Sequence, residues 1–174
     1  MILGLDPGSL VAGFGLIVYN GSDVGHLENG VVEMSPRLPL ASRLFQLQSA
    51  LAQIFVRHTV TDVVVEKAFF GKNADSAFKL GQARGVCMAA AGGQRVSVHE
   101  YAARFVKKAV TGSGSASKEH VQLIVGQLLR LRVENVKFDA TDALALAIAH
   151  SREIDKQERL RQAWERSPER QGAP

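Results

Sequence analysis

The sequence predicts an α/β fold in which a mixed sheet is covered by helices on both faces. Three observations lead there. The chain opens with short apolar or β-branched runs separated by turn residues, as antiparallel strands require. Helical periodicity then alternates with further short β-branched runs. One of those runs, Val63-Val64-Val65, is apolar without alternation, the pattern of a strand buried on both faces.

The elements follow in order. Residues 2–5 are a short apolar run stopped by Asp6-Pro7-Gly8, a strand ending in a turn. Residues 14–19 and 30–34 are the next strand candidates, with the turn dipeptide Asn20-Gly21 between them. From Leu40 the apolar positions Leu44, Leu47, Leu51, Ile54 and Phe55 keep a 3.6-residue rhythm and leave Arg43, Gln46, Gln48 and Arg57 on other faces, so this is a helix. After Val63–65 comes Glu66, and residues 73–91 read as an alanine-rich helix. Gly81 and Gly85 share one face of it; the packing reading is close approach of another backbone. Residues 96–98 are a strand, 102–110 a short helix and 111–115 a flexible glycine-serine loop. Residues 117–131 return to helix, and a last helix starts near Asp139, apolar on every side from Ala143 to Ala149. Beyond Ser151 the chain becomes highly charged, which divides it into a domain of residues 1–151 and an extension of residues 152–174, partly helical or disordered.

With 174 residues, 46% hydrophobic and 22% charged, the chain has material for one core and too little charge for disorder. No segment has the length of a membrane span or the layout of a secretory leader, so a cytoplasmic protein with no membrane partner is expected. Cys87 is the only cysteine, which excludes an intrachain disulfide and a thiolate zinc site. The net charge of +4 is unevenly placed. Residues 67–118 carry nine basic and two acidic side chains, while the remainder is acidic or neutral. A cationic third points to a polyanion, in the cytosol a nucleic acid.

Two apolar strands end in an acid, Asp6 and Glu66, and in open α/β sheets the functional crevice lies at those strand ends. Asp139 and Asp142 start the buried last helix three residues apart, on one side of its first turn. Taken singly, Asp139 reads as a helix cap, Asp142 as a first-turn acid and Asp6 as turn chemistry. Glu66 gains nothing structural after an apolar strand, and the four acids together, beside the basic segment, favour chemistry. Converging carboxylates stay ionised only around a cation, and an all-oxygen donor set selects Mg²⁺ or Mn²⁺. Two such ions per site suit phosphodiester hydrolysis. Lys107 and Lys118 flank the glycine-serine loop, positioned to close over a phosphate backbone.

Several of these stretches carry a resemblance. Residues 2–15 with Asp6-Pro7-Gly8-Ser9, residues 65–77 with Val65-Glu66-Lys67-Ala68-Phe69-Phe70-Gly71-Lys72-Asn73-Ala74-Asp75-Ser76-Ala77, Leu80-Gly81-Gln82-Ala83-Arg84-Gly85, Glu100-Tyr101-Ala102-Ala103-Arg104 and Asp139-Ala140-Thr141-Asp142-Ala143-Leu144-Ala145 resemble the RuvC family of bacterial Holliday junction resolvases, in the same order along residues 1–151. The resemblance implies a ribonuclease H-like fold with a mixed five-stranded sheet, and a homodimer that resolves four-way DNA junctions by paired symmetrical nicks in recombination and repair, leaving 5′-phosphate and 3′-hydroxyl ends. It implies Asp6, Glu66, Asp139 and Asp142 as catalytic metal ligands, and DNA contacts at Phe69, which stacks on a base, and at Lys72, Asn73, Arg84, Lys107, Lys108 and Lys118. RuvA and RuvB are the implied partners. Ala12 stands where the family commonly has threonine, and Asp139 where some members have histidine. Three rivals stand beside this reading: an actin-like ATPase, for which one domain is too short; a junction-binding module without catalysis; and a nuclease for RNA:DNA hybrids.

Overall fold

The computed structural model describes residues 1–21, 23–67 and 73–167. Five strands form one sheet: β1 (Ile2–Asp6), β2 (Val11–Tyr19), β3 (Val24–Glu33), β4 (Asp62–Glu66) and β5 (Ser97–Tyr101). The order across it is β3-β2-β1-β4-β5, with β1, β2 and β3 antiparallel and β4 parallel to both β1 and β5. Among the described residues five helices accompany it: α1 (Leu40–Arg57), α2 (Ala74–Gly93), α3 (Ala103–Thr111), α4 (Lys118–Leu129) and α5 (Phe138–Glu165).

Strand alternation sorts the side chains onto two cores. Leu3, Leu5, Leu16, Val63 and Val65 meet Leu47, Leu51 and Ile54 of α1 and Ala83 and Cys87 of α2. Ile2, Ile17 and Val64 meet α3, α4 and the apolar part of α5. The second core is thinner at its centre because Gly4, Gly13 and Gly15 floor it. A methyl group on Gly4 would overlap the carbonyl oxygen of Ala143, and one on Gly13 the carbonyl oxygen of Asp139. The α5 backbone therefore rests directly on the sheet, and no residue larger than glycine fits beneath it.

The elements run longer than their sequence signals in places. The β2–β3 hairpin spans residues 11–33, closed by an Asn20 N–H to Asp23 carbonyl bond of 3.3 Å with Gly21 at φ +94°. Cross-strand pairing extends these strands past their apolar stretches. Helix α5 continues through the charged stretch to Glu165, where Arg161 pairs with Glu165 and Glu158 one turn away. Leu160 and Trp164 are exposed on it.

Three local expectations change. Arg43 is buried: its Nη1 donates to the Ser9 carbonyl at 2.7 Å and ties α1 to the turn after β1. A long side chain can cross the apolar face because a backbone acceptor waits at its end. Gly81 and Gly85 face open space rather than a packed backbone. The glycine-serine loop is knitted together: Gly112 closes α3 at φ +83°, and Thr111 Oγ1 accepts from the Ser113 N–H at 3.1 Å.

Candidate active site

Parity along the strands decides which acids can meet. In β1, Ile2, Gly4 and Asp6 share the face toward α5; in β4, Asp62, Val64 and Glu66 share the same face. Leu5 pairs with Val65 in parallel register, so Asp6 and Glu66 emerge side by side at the carboxyl ends of adjacent strands. Helix α5 comes down on the glycine floor with its first turn over those ends, which delivers Asp139 and Asp142. Asp139 does not cap this helix: the cap is Lys137, which makes no side-chain cap bond. The cap explanation therefore falls away, and Asp139 stands instead as an acid in the first turn of α5.

The acids open into a cleft of about 420 Å³ lined by Asp6, Glu66, Asp142, Lys107 and Lys118, with Leu80, Val106 and Val121 in its apolar wall. A larger hollow of about 600 Å³ lies elsewhere, between the β2–β3 turn and α4–α5, and contains none of the four acids. Burial pushes the Asp6 carboxyl up to about 8, with Glu66, Asp142 and Asp139 adding to the effect in that order. Glu66 is also raised, by burial and then by Asp142, while a hydrogen bond from Asp6 works the other way. The protonated form of Asp6 is thus favoured, with Glu66 as its hydrogen-bond partner. Such a site is short of positive charge.

The chain supplies part of that charge. Lys118 Nζ donates to Asp142 Oδ2 at 2.6 Å, and this bond raises the lysine's own pKa. Ser117 caps α4 by accepting the His120 N–H, which sets Lys118 at the helix start. Lys107 Nζ donates to the Ala116 carbonyl at 2.7 Å, bracing the glycine-serine loop against α3. An oxygen-rich pocket that perturbs two of its carboxyls is the donor set a hard divalent cation favours, so the residues present fit Mg²⁺ or Mn²⁺.

The other expected site residues are placed differently. Arg84 reaches over β4 to the carboxylate of Glu100 and the carbonyl of Glu66, so its guanidinium holds the end of the Glu66 strand. Asn73 caps α2 by accepting the Ser76 N–H at 3.1 Å. Lys108 is exposed and lies outside the cleft, one position and about 100° around α3 from Lys107. Phe69 and Lys72 fall outside the described residues. Sequence reasoning missed the glycine floor, although Gly4, Gly13 and Gly15 fall at alternate strand positions on the same face.

Comparison with known proteins fits this arrangement. The family model for crossover junction endodeoxyribonuclease RuvC matches residues 2–150. The chain is 45% identical over 163 residues to the RuvC crossover junction endodeoxyribonuclease of Bdellovibrio bacteriovorus, covering 94% of this chain and 96% of that protein. It is 41% identical over 151 residues to the same enzyme of Legionella pneumophila strain Lens, covering 87% and 86%. The structure of T. thermophilus RuvC in complex with a Holliday junction substrate superposes with a TM-score of 0.84 at 31% identity, covering 90% of this chain and 95% of that one. The sheet and its helices are thus those of the ribonuclease H-like resolvases.

Proposed function

The chain belongs to the RuvC family of Holliday junction resolvases, endodeoxyribonucleases acting on DNA phosphodiester bonds, and from that premise we propose that Asp6, Glu66, Asp139 and Asp142 hold the divalent ions for paired hydrolysis of two junction strands. The observation that carries this reading is the juxtaposition of Asp6, Glu66 and Asp142 in one cleft, with Asp6 pushed up to about 8. No core residue gains by such crowding; a cation site does.

Mg²⁺ or Mn²⁺ held by these carboxylates supplies Lewis acidity to the scissile phosphate and lowers the pKa of the attacking water. The residues of the chain do the rest. Asp6, raised by burial and its acidic neighbours, would have to be deprotonated to hold an ion, so metal affinity should rise with pH. Lys118, whose Nζ bonds Asp142 at 2.6 Å, would present its ammonium to the substrate phosphate. Lys107 lines the same cleft and favours the extra negative charge of the transition state. Products are 5′-phosphate and 3′-hydroxyl ends.

Phe69, Lys72, Asn73 and Lys108 are assigned to the DNA surface along with the two cleft lysines. A base-stacking Phe69 adds ~1–3 kcal/mol of binding. Two-fold pairing of the nicks calls for a homodimer, because two copies of one site match a junction of near two-fold symmetry. The exposed Phe78 and the bare Gly81 and Gly85, on one face of α2 beside the cleft, support close approach of a second copy. RuvA and RuvB complete the proposed partners, in the cytoplasm. Residues 1–151 form the nuclease domain and residues 152–174 its charged extension. Among the described residues no helix is long and apolar enough to cross a membrane.

One assay tests this function. Incubated with a mobile four-way junction, the protein nicks two opposed strands when Mg²⁺ is present and none after chelation. Tight junction binding without any cut in Mg²⁺ or Mn²⁺ would reduce it to a binding module.

A further inference from the structure

Asp62 opens the same strand that Glu66 closes, and it has its own cluster. Asp62, His99 and His150 bring one carboxylate oxygen and two imidazole nitrogens within 4.8 Å of one another. They come from three elements. Parity puts Asp62 and His99 on the α5 face of neighbouring strands β4 and β5, and His150 comes down from α5. The spacing is coherent with the acid cleft: Glu66 and Asp62 lie about 13 Å apart along the strand. Asp142 and His150 lie about 12 Å apart along the helix. Helix and strand run side by side, so one end gathers the acids and the other gathers the imidazoles.

The geometry is that of a ligand set. His99 Nε2 lies 3.2 Å and His150 Nε2 3.6 Å from the same oxygen, Asp62 Oδ1. A tetrahedral ion with bonds of about 2.0–2.1 Å sets its ligand atoms about 3.3 Å apart. His150 is 3% exposed and its Nε2 has no hydrogen-bond partner, an orphaned polar atom aimed into the cluster. Natural interiors leave few such atoms unpaired.

The surrounding bonds orient the donors into the cluster, as the second layer of a metal site does. Tyr101 Oη bonds His150 Nδ1 at 2.9 Å, which turns Nε2 inward. Thr61 Oγ1 donates to Asp62 Oδ2 at 2.8 Å, which leaves Oδ1 for the imidazoles. Asp62 and His99 are partly exposed, which gives an ion a way in and a water position.

We propose that Asp62 Oδ1, His99 Nε2 and His150 Nε2 form a binding site for a zinc-class divalent ion, distinct from the acid cleft. Two nitrogens and one oxygen favour Zn²⁺ or Co²⁺ over Mg²⁺. The ion would fasten the edge strand β5 and the middle of α5 to β4.

The test uses the full chain, stripped with chelator and dialysed against Zn²⁺ in excess Mg²⁺, with Co²⁺ absorption as the second readout. Wild type is expected to bind one Zn²⁺ per chain and to give the intense visible band of tetrahedral Co²⁺. His99→Gln and Asp62→Asn, both at partly exposed positions, are expected to weaken Zn²⁺ binding by about 10–100-fold and to lose the band. Their junction cleavage in Mg²⁺ stays near wild type. Glu66→Gln, in the other site, keeps both the Zn²⁺ and the band. No Zn²⁺ binding by wild type would overturn the proposal. So would equal binding by His99→Gln and Asp62→Asn, or loss of the bound ion in Glu66→Gln, which would move it to the acid cleft.

Discussion

The two ends of β4 carry one acid each, five residues long from Asp62 to Glu66, and the fold treats them in opposite ways. Burial raises both carboxyls, but at Asp62 hydrogen bonds from Thr61 and His99 and the charge of His150 more than offset it, and the net pKa is lowered. At Glu66 the neighbours are other acids, so the net pKa is raised, and Asp6 beside it is pushed further. The Asp62 carboxylate is satisfied by groups of the chain itself, although the His150 Nε2 beside it is left without a hydrogen bond, whereas the Glu66 carboxyl is left in need of a cation. Strongly raised carboxyls cluster where they are used, and the difference sets the acid proposed to hold the catalytic ions apart from one whose charge the chain itself balances.

The largest expected effect breaks the needy end. Asp6→Asn or Glu66→Gln should lower junction cleavage by about 10³-fold or more, the upper scale for removing one preorganised electrostatic group, with junction binding retained in a gel-shift assay. Undiminished cleavage by either variant would return Glu66 to the same class as Asp62. Next comes the floor between the ends. Gly4→Ala should cost about 3 kcal/mol in a urea melt, because its methyl meets α5 backbone that cannot rotate away. It should also depress cleavage at temperatures where the variant is still folded, since Asp139 and Asp142 ride on that helix.

The two ends should also pull stability in opposite directions with pH. In the metal-free protein, Asp6 binds a proton more tightly folded than unfolded, so its contribution is complete below about 4 and is lost as pH rises to about 8. Asp62 contributes above its ordinary pKa and loses that contribution as the acid range is entered; His150, lowered by burial and His99, adds to the loss below about 6.5. Asp6→Asn should therefore flatten the alkaline side of a stability–pH curve, and Asp62→Asn the acid side. Divalent ion should restore the alkaline side in wild type alone. The smallest effect is Asp62→Asn at neutral pH, about 1 kcal/mol, the scale of one hydrogen bond. A larger loss than that of Gly4→Ala would show that the satisfied end carries the fold.

Much of this was legible beforehand, for identifiable reasons. The acids were visible because Asp6 and Glu66 end apolar runs, and no propensity explains a glutamate there. The stripe of Leu47, Leu51 and Ile54 was visible because periodicity is a local property. Arg43 was misplaced on that helix because its acceptor, the Ser9 carbonyl, lies 34 residues away. Gly81 and Gly85 signalled a close neighbour that the described residues of this chain do not supply. The charged extension beyond Ser151 was read as partly helical or disordered, and ion pairs one turn apart accompany the helix to Glu165.

By itself the sequence determined the element types, the two strand-terminal acids and the basic middle third, since each is written in side-chain chemistry over a few consecutive residues. Tertiary structure alone decided that Asp139 and Asp142 meet Asp6 and Glu66 while His150 meets Asp62. Parallel register fixes which strand ends adjoin, and three glycines fix how near α5 lies to them; both are relations between segments remote along the chain.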